Sequence, residues 1–326
     1  MNIKLIFITG LTASGKSDLA IFLAKKINGV VINADSRQVY KYLDWGSAKI
    51  EINKTEKKII NGKKFFVSYS RDGNIPHYLI SQVHPKNNYS LGKWLKDVDI
   101  LVKYLTERKK QIILCGGTIL YLKAIKEGWQ LPKVSPDWKL RKELEKKSTP
   151  KLYNYLLKLD PQRAMLIDKN NKIRLIRAIE IAIKQGNVPP LMKIPKYELL
   201  VLAPAFNWSD IEIKIRKRLA KRAFNIIREI IKLRTLGLSF KKIISFGLEY
   251  RWFGLLVKKL KLKKINKDKF NKIISSTDYQ DIFENCYRDI RRFARKQWRE
   301  LKKMNDIHWV DSKKDCLDLV DKFLND

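Results

Sequence analysis

Residues 3–20 read IKLIFITGLTASGKSDLA, an apolar run followed by a glycine-containing turn and the beginning of a helical pattern. Gly10, Gly15, Lys16 and Ser17 follow the spacing GxxxxGK[ST] of a phosphate-binding loop, and residues 10–17 are named the glycine loop. In such loops backbone N–H groups and the next helix N-terminus hold phosphate oxygens, the lysine neutralises a terminal phosphate, and the serine hydroxyl binds Mg²⁺. The stretch therefore predicts a strand, a phosphate site with Mg²⁺ at Ser17, and a helix.

Three further apolar runs, at residues 29–35, 109–117 and 197–205, predict buried strands. Because the first of them follows a strand, a glycine loop and a helix, the order is that of a βαβ unit, and parallel strands are expected. We predict an α/β fold: a P-loop-type doubly wound parallel sheet core with a helical insertion domain and a helical C-terminal region. The core is expected at residues 1–125 and 196–326, and the insertion at residues 126–195.

The chain is strongly basic, since 69 Lys and Arg against 33 Asp and Glu residues give a net charge of +36 over 326 residues. Such a field attracts polyanions without identifying one, and a genome rich in Lys, Ile and Asn codons explains part of the excess. The three cysteines lack metal-ligand spacing and indicate a reducing compartment without disulfides. The apolar runs are too short for a membrane span, so we expect a cytoplasmic protein with no membrane partner.

A carboxylate is expected beside the bound phosphate. Triphosphatases of this type usually have a strand that ends in Asp, but the run at 109–117 ends in LCGG. The run at 29–35 ends in Asp35 instead, and ligands in such sheets bind outside the carboxyl ends of the strands. Asp35 is therefore a candidate general base, with a helix cap or an outer ligand of Mg²⁺ as the alternatives.

A basic stripe is predicted on the last long helix. Four arginines fall at i, i+4, i+7 and i+11, which places them on one face of a helix: Arg288, Arg292, Arg295 and Arg299. Ile290, Ala294 and Leu301 fall on another face, which suits a core. The pattern indicates a cationic face for nucleic-acid phosphates, and a solvated basic face without a ligand is the alternative.

Several segments, taken in chain order, resemble the tRNA dimethylallyltransferases, also called isopentenyl-diphosphate:tRNA transferases. The glycine loop contains GLTASGK where that family has GPTASGK, and DSRQVY at 35–40 matches Asp-Ser-x-Gln-x-Tyr. Further matches are GGTILY at 116–121, DPQRA at 160–164, RLAKR at 218–222 and RRFARKQW at 291–298. The 35–40 segment combined with the late ARKQ segment is far more specific than the loop alone.

The resemblance implies transfer of a dimethylallyl group from dimethylallyl diphosphate to the exocyclic amine of the adenosine 3′ of the anticodon in tRNA, giving N6-isopentenyladenosine and diphosphate. Asp35 would accept the amine proton, Thr12 would bind the oxygen that bridges diphosphate and carbon, and Lys16 with Mg²⁺ would stabilise the leaving diphosphate. The residues expected to bind diphosphate are Gly10, Thr12, Ala13, Ser14, Gly15, Lys16, Ser17 and Arg218. Those expected to bind the tRNA anticodon stem-loop are Asp35, Ser36, Arg37, Gln38, Thr118, Arg141, Arg174, Arg177, Arg292, Arg295, Lys296 and Gln297.

Three other functions fit parts of the pattern. A P-loop kinase of a small metabolite leaves the basic C-terminal helix without a role. A prenyltransferase acting on free adenine nucleotides needs neither the insertion nor that helix. A non-catalytic RNA-binding protein has no use for Asp35. We expect prenyl transfer to tRNA by a monomer.

Overall fold

A computed structural model describes residues 3–326 of the chain. The chain divides into two compact units, of which the first comprises the described residues up to Lys126 together with Lys196–Asp326, and the second is Glu127–Pro195. The sequence places the insertion at 126–195. None of the helices in the described residues has both the length and the apolar character that a membrane span requires.

The described residues form ten strands, of which β7 and β8 belong to the second unit. Their bounds are β1 Ile3–Ile8, β2 Gly29–Asn33, β3 Ile52–Ile60, β4 Lys63–Ser70, β5 Pro76–Tyr78, β6 Gln111–Cys115, β7 Trp129–Gln130, β8 Met192–Lys193, β9 Tyr197–Pro204 and β10 Ile307–Val310.

Thirteen α-helices are present in the described residues, and α4 to α7 belong to the second unit. Their bounds are α1 Lys16–Lys26, α2 Leu91–Thr106, α3 Ile119–Lys126, α4 Trp138–Leu144, α5 Thr149–Leu159, α6 Pro161–Leu166, α7 Lys172–Gln185, α8 Trp208–Thr235, α9 Phe240–Ile244, α10 Leu248–Lys259, α11 Lys267–Ile274, α12 Thr277–Leu301 and α13 Lys313–Asn325.

The first unit has one central, mostly parallel sheet with the strand order β10-β9-β1-β6-β2-β5-β4-β3. Strand β1 lies between β6 and β9, where Ile6 is paired with Ile113 and Leu200. The expectation of a wholly parallel sheet is wrong for β4, which pairs antiparallel with both β3 and β5. The reason is a two-residue hairpin turn, Asn61–Gly62, whose positive φ angles of 47° and 71° reverse the chain directly.

Both faces of this sheet are buried. Leu5 and Phe7 of β1 pack on the side of α2 and α3. Ile6 and Ile8 pack on the opposite side with α1 and α13. Because successive strand residues point to opposite faces, a strand covered on both sides is apolar throughout, which explains the continuous apolar run at the N-terminus.

A third hydrophobic cluster consists of helices α8, α9, α10 and α12. Leu11 of the glycine loop and Val39 and Leu43, which follow β2, are buried in this cluster. The two loops that carry the predicted site residues are therefore anchored in the helical part of the first unit.

The second unit is a small helical body. Its core includes Leu144, Leu152, Leu156, Leu175 and Ile179, which come from α4, α5 and α7. The short strands β7 and β8 pair antiparallel and bring the two ends of the unit together.

Candidate active site

The glycine loop turns sharply between β1 and α1. Gly10, Ala13 and Gly15 have positive φ angles of 134°, 65° and 88°. Gly10 and Gly15 adopt such angles without strain, whereas the left-handed conformation of Ala13 costs about 1–2 kcal/mol. Gly15 immediately precedes α1, so its left-handed conformation turns the chain into the first helical turn at Lys16.

Several backbone N–H groups of the loop are free. Among residues 12–17 the amides of Ala13, Gly15, Lys16 and Ser17 have no hydrogen-bond acceptor within residues 3–326, and the same holds for Gly10 and Leu11 at the start of the loop. Two amides that the sequence assigns to phosphate are occupied, because Thr12 N donates to Gln297 Oε1 at 2.9 Å and Ser14 N donates to Leu11 O at 3.3 Å. Fewer backbone N–H groups are therefore free to bind phosphate than the sequence predicts.

Two partly buried cations accompany these amides. Burial is the main cause that lowers the pKa of Lys16, Cys115 and Asp35 oppose the lowering, and Arg218 adds to it, so that the pKa lies at about 8. Burial also lowers the pKa of Arg218 to about 10. Since desolvation disfavours the charged form of each side chain, an anion placed here recovers charge–charge stabilisation that the free protein lacks.

Unpartnered polar atoms lie in the same place. Arg218 Nη2 donates to Thr12 Oγ1 at 2.7 Å, and Lys16 Nζ donates to the carbonyl oxygen of Leu11. Arg218 Nε and Ser14 Oγ are buried without a hydrogen-bond partner in the described part of the chain. Buried polar atoms without partners are uncommon in folded proteins, so these donors indicate a site for an anionic ligand.

Asp35 follows β2 and is fixed by its neighbours. Its Oδ1 accepts hydrogen bonds from Arg37 N at 2.8 Å and Gln38 N at 3.3 Å, which caps the following turn. The buried side chain of Asn33 holds the Asp35 backbone, accepting from its N–H and donating to its carbonyl oxygen. No hydrogen bond within residues 3–326 involves Asp35 Oδ2. One carboxylate oxygen is therefore structural and the other is available.

Asp35 lies close enough to Lys16 and Arg218 for its negative charge to affect their pKa values. Burial lowers the pKa of Lys16, Arg218 and Lys49, and the negative charge of Asp35 opposes that lowering in each case. Lys49 Nζ is almost wholly buried and donates to Tyr40 O, Asp44 Oδ1 and Ser81 Oγ. Lys49 therefore fixes the segment that follows Asp35, a supporting role that the motif match alone does not reveal.

The residues beside Asp35 are joined to the turn after β6. Ser36 N donates to Thr118 Oγ1 at 3.0 Å, which brings two predicted tRNA contacts together. Gln38 Nε2 donates to the carbonyl oxygens of Ser47 and Ala48. The Arg37 guanidinium lies 5.9 Å from the ring centroid of Phe246. All four residues at 35–38 are half-buried.

The donor set for Mg²⁺ is sparse. Within residues 3–326 no group of three or more His, Cys, Asp and Glu side chains is arranged to hold a metal ion. Mg²⁺ usually keeps several waters and takes only one or two protein oxygens together with substrate phosphates. The Ser17 hydroxyl at the start of α1, next to the free loop amides, fits a site of that kind. Mg²⁺ binding at Ser17 stays a prediction.

Comparison with known proteins identifies the family. A family model described as IPPT, IPP transferase, matches residues 38–304. The tRNA dimethylallyltransferase 2 of Shewanella sediminis is 31% identical over 320 residues, which cover 96% of this chain and 95% of that protein. The chain belongs to the IPP transferase family.

Two further similarities extend over nearly the whole chain. The tRNA dimethylallyltransferase of Carboxydothermus hydrogenoformans is 32% identical over 333 residues, covering 98% of this chain and 96% of that protein. The solved structure of the full-length tRNA isopentenylpyrophosphate transferase from Bacillus halodurans has a TM-score of 0.65 and 25% identity, covering 99% and 97% of the two chains. The chain is therefore an enzyme of the transferase class.

Helix α12 of this IPP transferase carries the basic stripe on its exposed side. Arg288, Arg292, Arg295 and Arg299 are exposed, whereas Ile290, Ala294 and Leu301 are buried, as predicted. Two of the charges are partly compensated: Arg292 pairs with Asp289 and Arg295 with Glu212. Lys296 is exposed on the same helix.

One predicted tRNA contact on α12 lies inside the protein. Gln297 is only 2% exposed, and both ends of its side-chain amide are bonded to the protein. The geometry favours a supporting role for Gln297 over direct contact with RNA, because the side chain is buried and both polar atoms of its amide already have a protein partner.

The three arginines of the second unit that are predicted to contact tRNA differ in whether they are already paired with a carboxylate. Arg141 and Arg177 both pair with the buried carboxylate of Glu180. Burial alone would raise the pKa of Glu180, but hydrogen bonds from Arg141, the Asp137 amide and Arg177 lower it to about 2. The Arg174 guanidinium is exposed and has no partner within residues 3–326. Of the three, Arg174 is the one with its charge free for an external phosphate.

Proposed function

We propose that this IPP transferase transfers the dimethylallyl group of dimethylallyl diphosphate to the exocyclic amine of the adenosine 3′ of the anticodon in tRNA. The tRNA dimethylallyltransferase activity follows from the family and from the curated relatives that match almost the whole chain. The roles of individual residues rest on one observation: free loop amides and two cations of lowered pKa lie beside a carboxylate with one unpartnered oxygen.

The glycine loop holds the leaving diphosphate. The Thr12 hydroxyl oxygen accepts from Arg218, so its own O–H remains free to donate to the oxygen that bridges phosphorus and carbon. Negative charge grows on that oxygen as the carbon–oxygen bond breaks, and donors fixed beforehand stabilise the transition state more than the ground state. Bound Mg²⁺ supplies further positive charge to the diphosphate.

Asp35 accepts the proton of the acceptor. The adenine amine is a weak nucleophile, and its nitrogen loses a proton as the new nitrogen–carbon bond forms. Oδ1 of Asp35 is held by two backbone amides, which leaves Oδ2 to take that proton. Ser36 and Gln38 of the same segment, together with Thr118 of the turn after β6, seat the base, which must leave its stack to reach them.

The tRNA backbone is held by exposed cations. On α12 these are Arg292, Arg295 and Lys296, and on the second unit Arg174 is the strongest candidate. Such contacts bind phosphates without reading bases. The enzyme acts as a monomer.

One assay tests this proposal against its alternatives. Purified protein is given Mg²⁺, labelled dimethylallyl diphosphate and either unmodified tRNA or free adenosine monophosphate. Label in tRNA and none in the nucleotide supports the proposal. Label in the nucleotide alone contradicts it, as does ATP-dependent phosphorylation of a small acceptor without prenylated tRNA.

A further inference from the structure

Gln297 links three parts of the first unit through one buried amide. Its Oε1 accepts a hydrogen bond from Thr12 N at 2.9 Å, and its Nε2 donates to Gly117 O at 2.9 Å. Thr12 belongs to the glycine loop, Gly117 to the turn between β6 and α3, and Gln297 to α12. These positions are 285 and 180 residues apart in sequence, so no local structure imposes the contact.

The turn after β6 is shaped for this amide. A Cβ atom on Gly117 would lie 2.6 Å from Gln297 Nε2, a distance at which one of the two must move. The next residue, Thr118, accepts from Ser36 N at 3.0 Å. Two hydrogen bonds of Gln297, the peptide link from Gly117 to Thr118 and the Ser36–Thr118 hydrogen bond therefore connect Thr12 with the segment that carries Asp35.

Thr12 is held from two sides. Arg218 bonds its hydroxyl, and Gln297 bonds its backbone N–H. With both bonds in place, the Thr12 hydroxyl has a defined position relative to the diphosphate site on one side and Ser36 on the other. Loss of the Gln297 bond leaves the Thr12 amide without its acceptor and the loop free to shift.

We propose that Gln297 is a positioning residue for the transfer step: it sets the Thr12 hydroxyl against the leaving oxygen and does not bind tRNA. This inference rests on the function proposed above. The neighbouring Arg295 and Lys296 are exposed on the outer side of the same helix and carry tRNA affinity instead. Catalytic alignment and tRNA affinity therefore separate along one helix.

The test is a double-mutant cycle. Gln297→Met keeps the length of the side chain and removes both hydrogen bonds, and Thr12→Val removes the hydroxyl. Gln297→Met is expected to lower kcat by about tenfold to a hundredfold, the loss typical of misaligned reacting groups, with the Kd for tRNA changed by less than about twofold. In the Thr12→Val background the same change should have almost no further effect on kcat, since coupled residues are not additive.

Two comparisons keep the test decisive. Gly117→Ala displaces the Gln297 amide without altering Gln297, and it should lower kcat in the same direction if Gln297→Met proves too unstable to purify. Gln280→Met is the matched control on α12: it makes the same substitution at an exposed glutamine whose amide donates to Ile274 O, and it should leave both kcat and the Kd for tRNA unchanged.

Each remaining outcome overturns a stated claim. If the losses of Thr12→Val and Gln297→Met multiply, or if Gln297→Met lowers only the Tm or only tRNA affinity, Gln297 is not a positioning residue. A wild-type protein that transfers no label in the same assay refutes the proposed function itself, whereas an active wild type with multiplying losses refutes only the role of Gln297.

Discussion

Affinity for dimethylallyl diphosphate should fall as pH rises from 7 to 9. Burial lowers the pKa of Lys16 to about 8 in the free protein, so its charge is lost through this window, while the pKa of Arg218, at about 10, lies above it. The second ionisation of a phosphate lies near pH 6, so the ligand keeps a constant charge. If the diphosphate binds the protonated form of Lys16, one pH unit above that pKa lowers affinity about tenfold, or about 1.4 kcal/mol.

The stability of the free protein should change in the opposite direction. Because the pKa of Lys16 is depressed below its unfolded value of 10.5, the unfolded chain binds more protons between pH 8 and 10.5, and folding stability gains from rising pH in that window. Substitution by methionine removes both effects, so Lys16→Met is the control for other titrating groups.

Isothermal titration calorimetry of dimethylallyl diphosphate at constant ionic strength measures the effect. The wild type should lose affinity between pH 7 and 9, and Lys16→Met should bind weakly with no such slope. A flat wild-type profile, or an equal slope in Lys16→Met, refutes the assignment of Lys16 to the diphosphate.

Three further outcomes are expected from charges elsewhere in the protein. Arg174→Ala should weaken tRNA binding and flatten its salt dependence with an unchanged Tm. Arg177→Ala should instead lower the free energy of unfolding by about 2 kcal/mol, because it removes a charged partner of Glu180. Filter binding and thermal melting measure the two effects, and equal effects of the two changes would contradict this. Glu229 accepts the amides of Asp44, Trp45 and Gly46, so Glu229→Ala should destabilise the fold by about 3 kcal/mol or more in urea titration, and an unaltered midpoint would argue against it. Affinity for tRNA should fall steeply between 50 and 200 mM salt, as for proteins that bind several phosphates, and a flat response would exclude the basic stripe as the RNA surface.

The apolar strands of the first unit were predictable because each is buried on both faces. Strand β3 was not predicted, because its residues INKTEKKII include three lysines without an alternating apolar pattern and lie mostly exposed at an edge of the sheet. Edge strands need only one covered face and often carry charges, so their pattern resembles a loop. The Asn61–Gly62 pair was nevertheless a readable signal for the hairpin.

The candidate site was predictable where chemistry follows local spacing. The glycine loop and Asp35 stand at strand ends, and the parallel order brings such ends to one edge of the sheet. The supporting contacts of Gln297 and Glu229 were not readable, since both residues act through atoms distant in sequence. Arg177 and Glu180 are three residues apart on α7, so their pairing was foreseeable, while Arg141 joins them only through the tertiary fold.

The most direct test of prenyl transfer with Asp35 as the base is a single-turnover measurement with labelled dimethylallyl diphosphate and unmodified tRNA. Asp35→Asn keeps an oxygen for the Arg37 and Gln38 amides and removes the base. The wild type should label tRNA, and Asp35→Asn should be slower by about 10²–10⁴-fold with an unchanged Kd for dimethylallyl diphosphate. Equal transfer rates for the two proteins would contradict the role of Asp35, and the absence of label with the wild type would contradict the transfer itself.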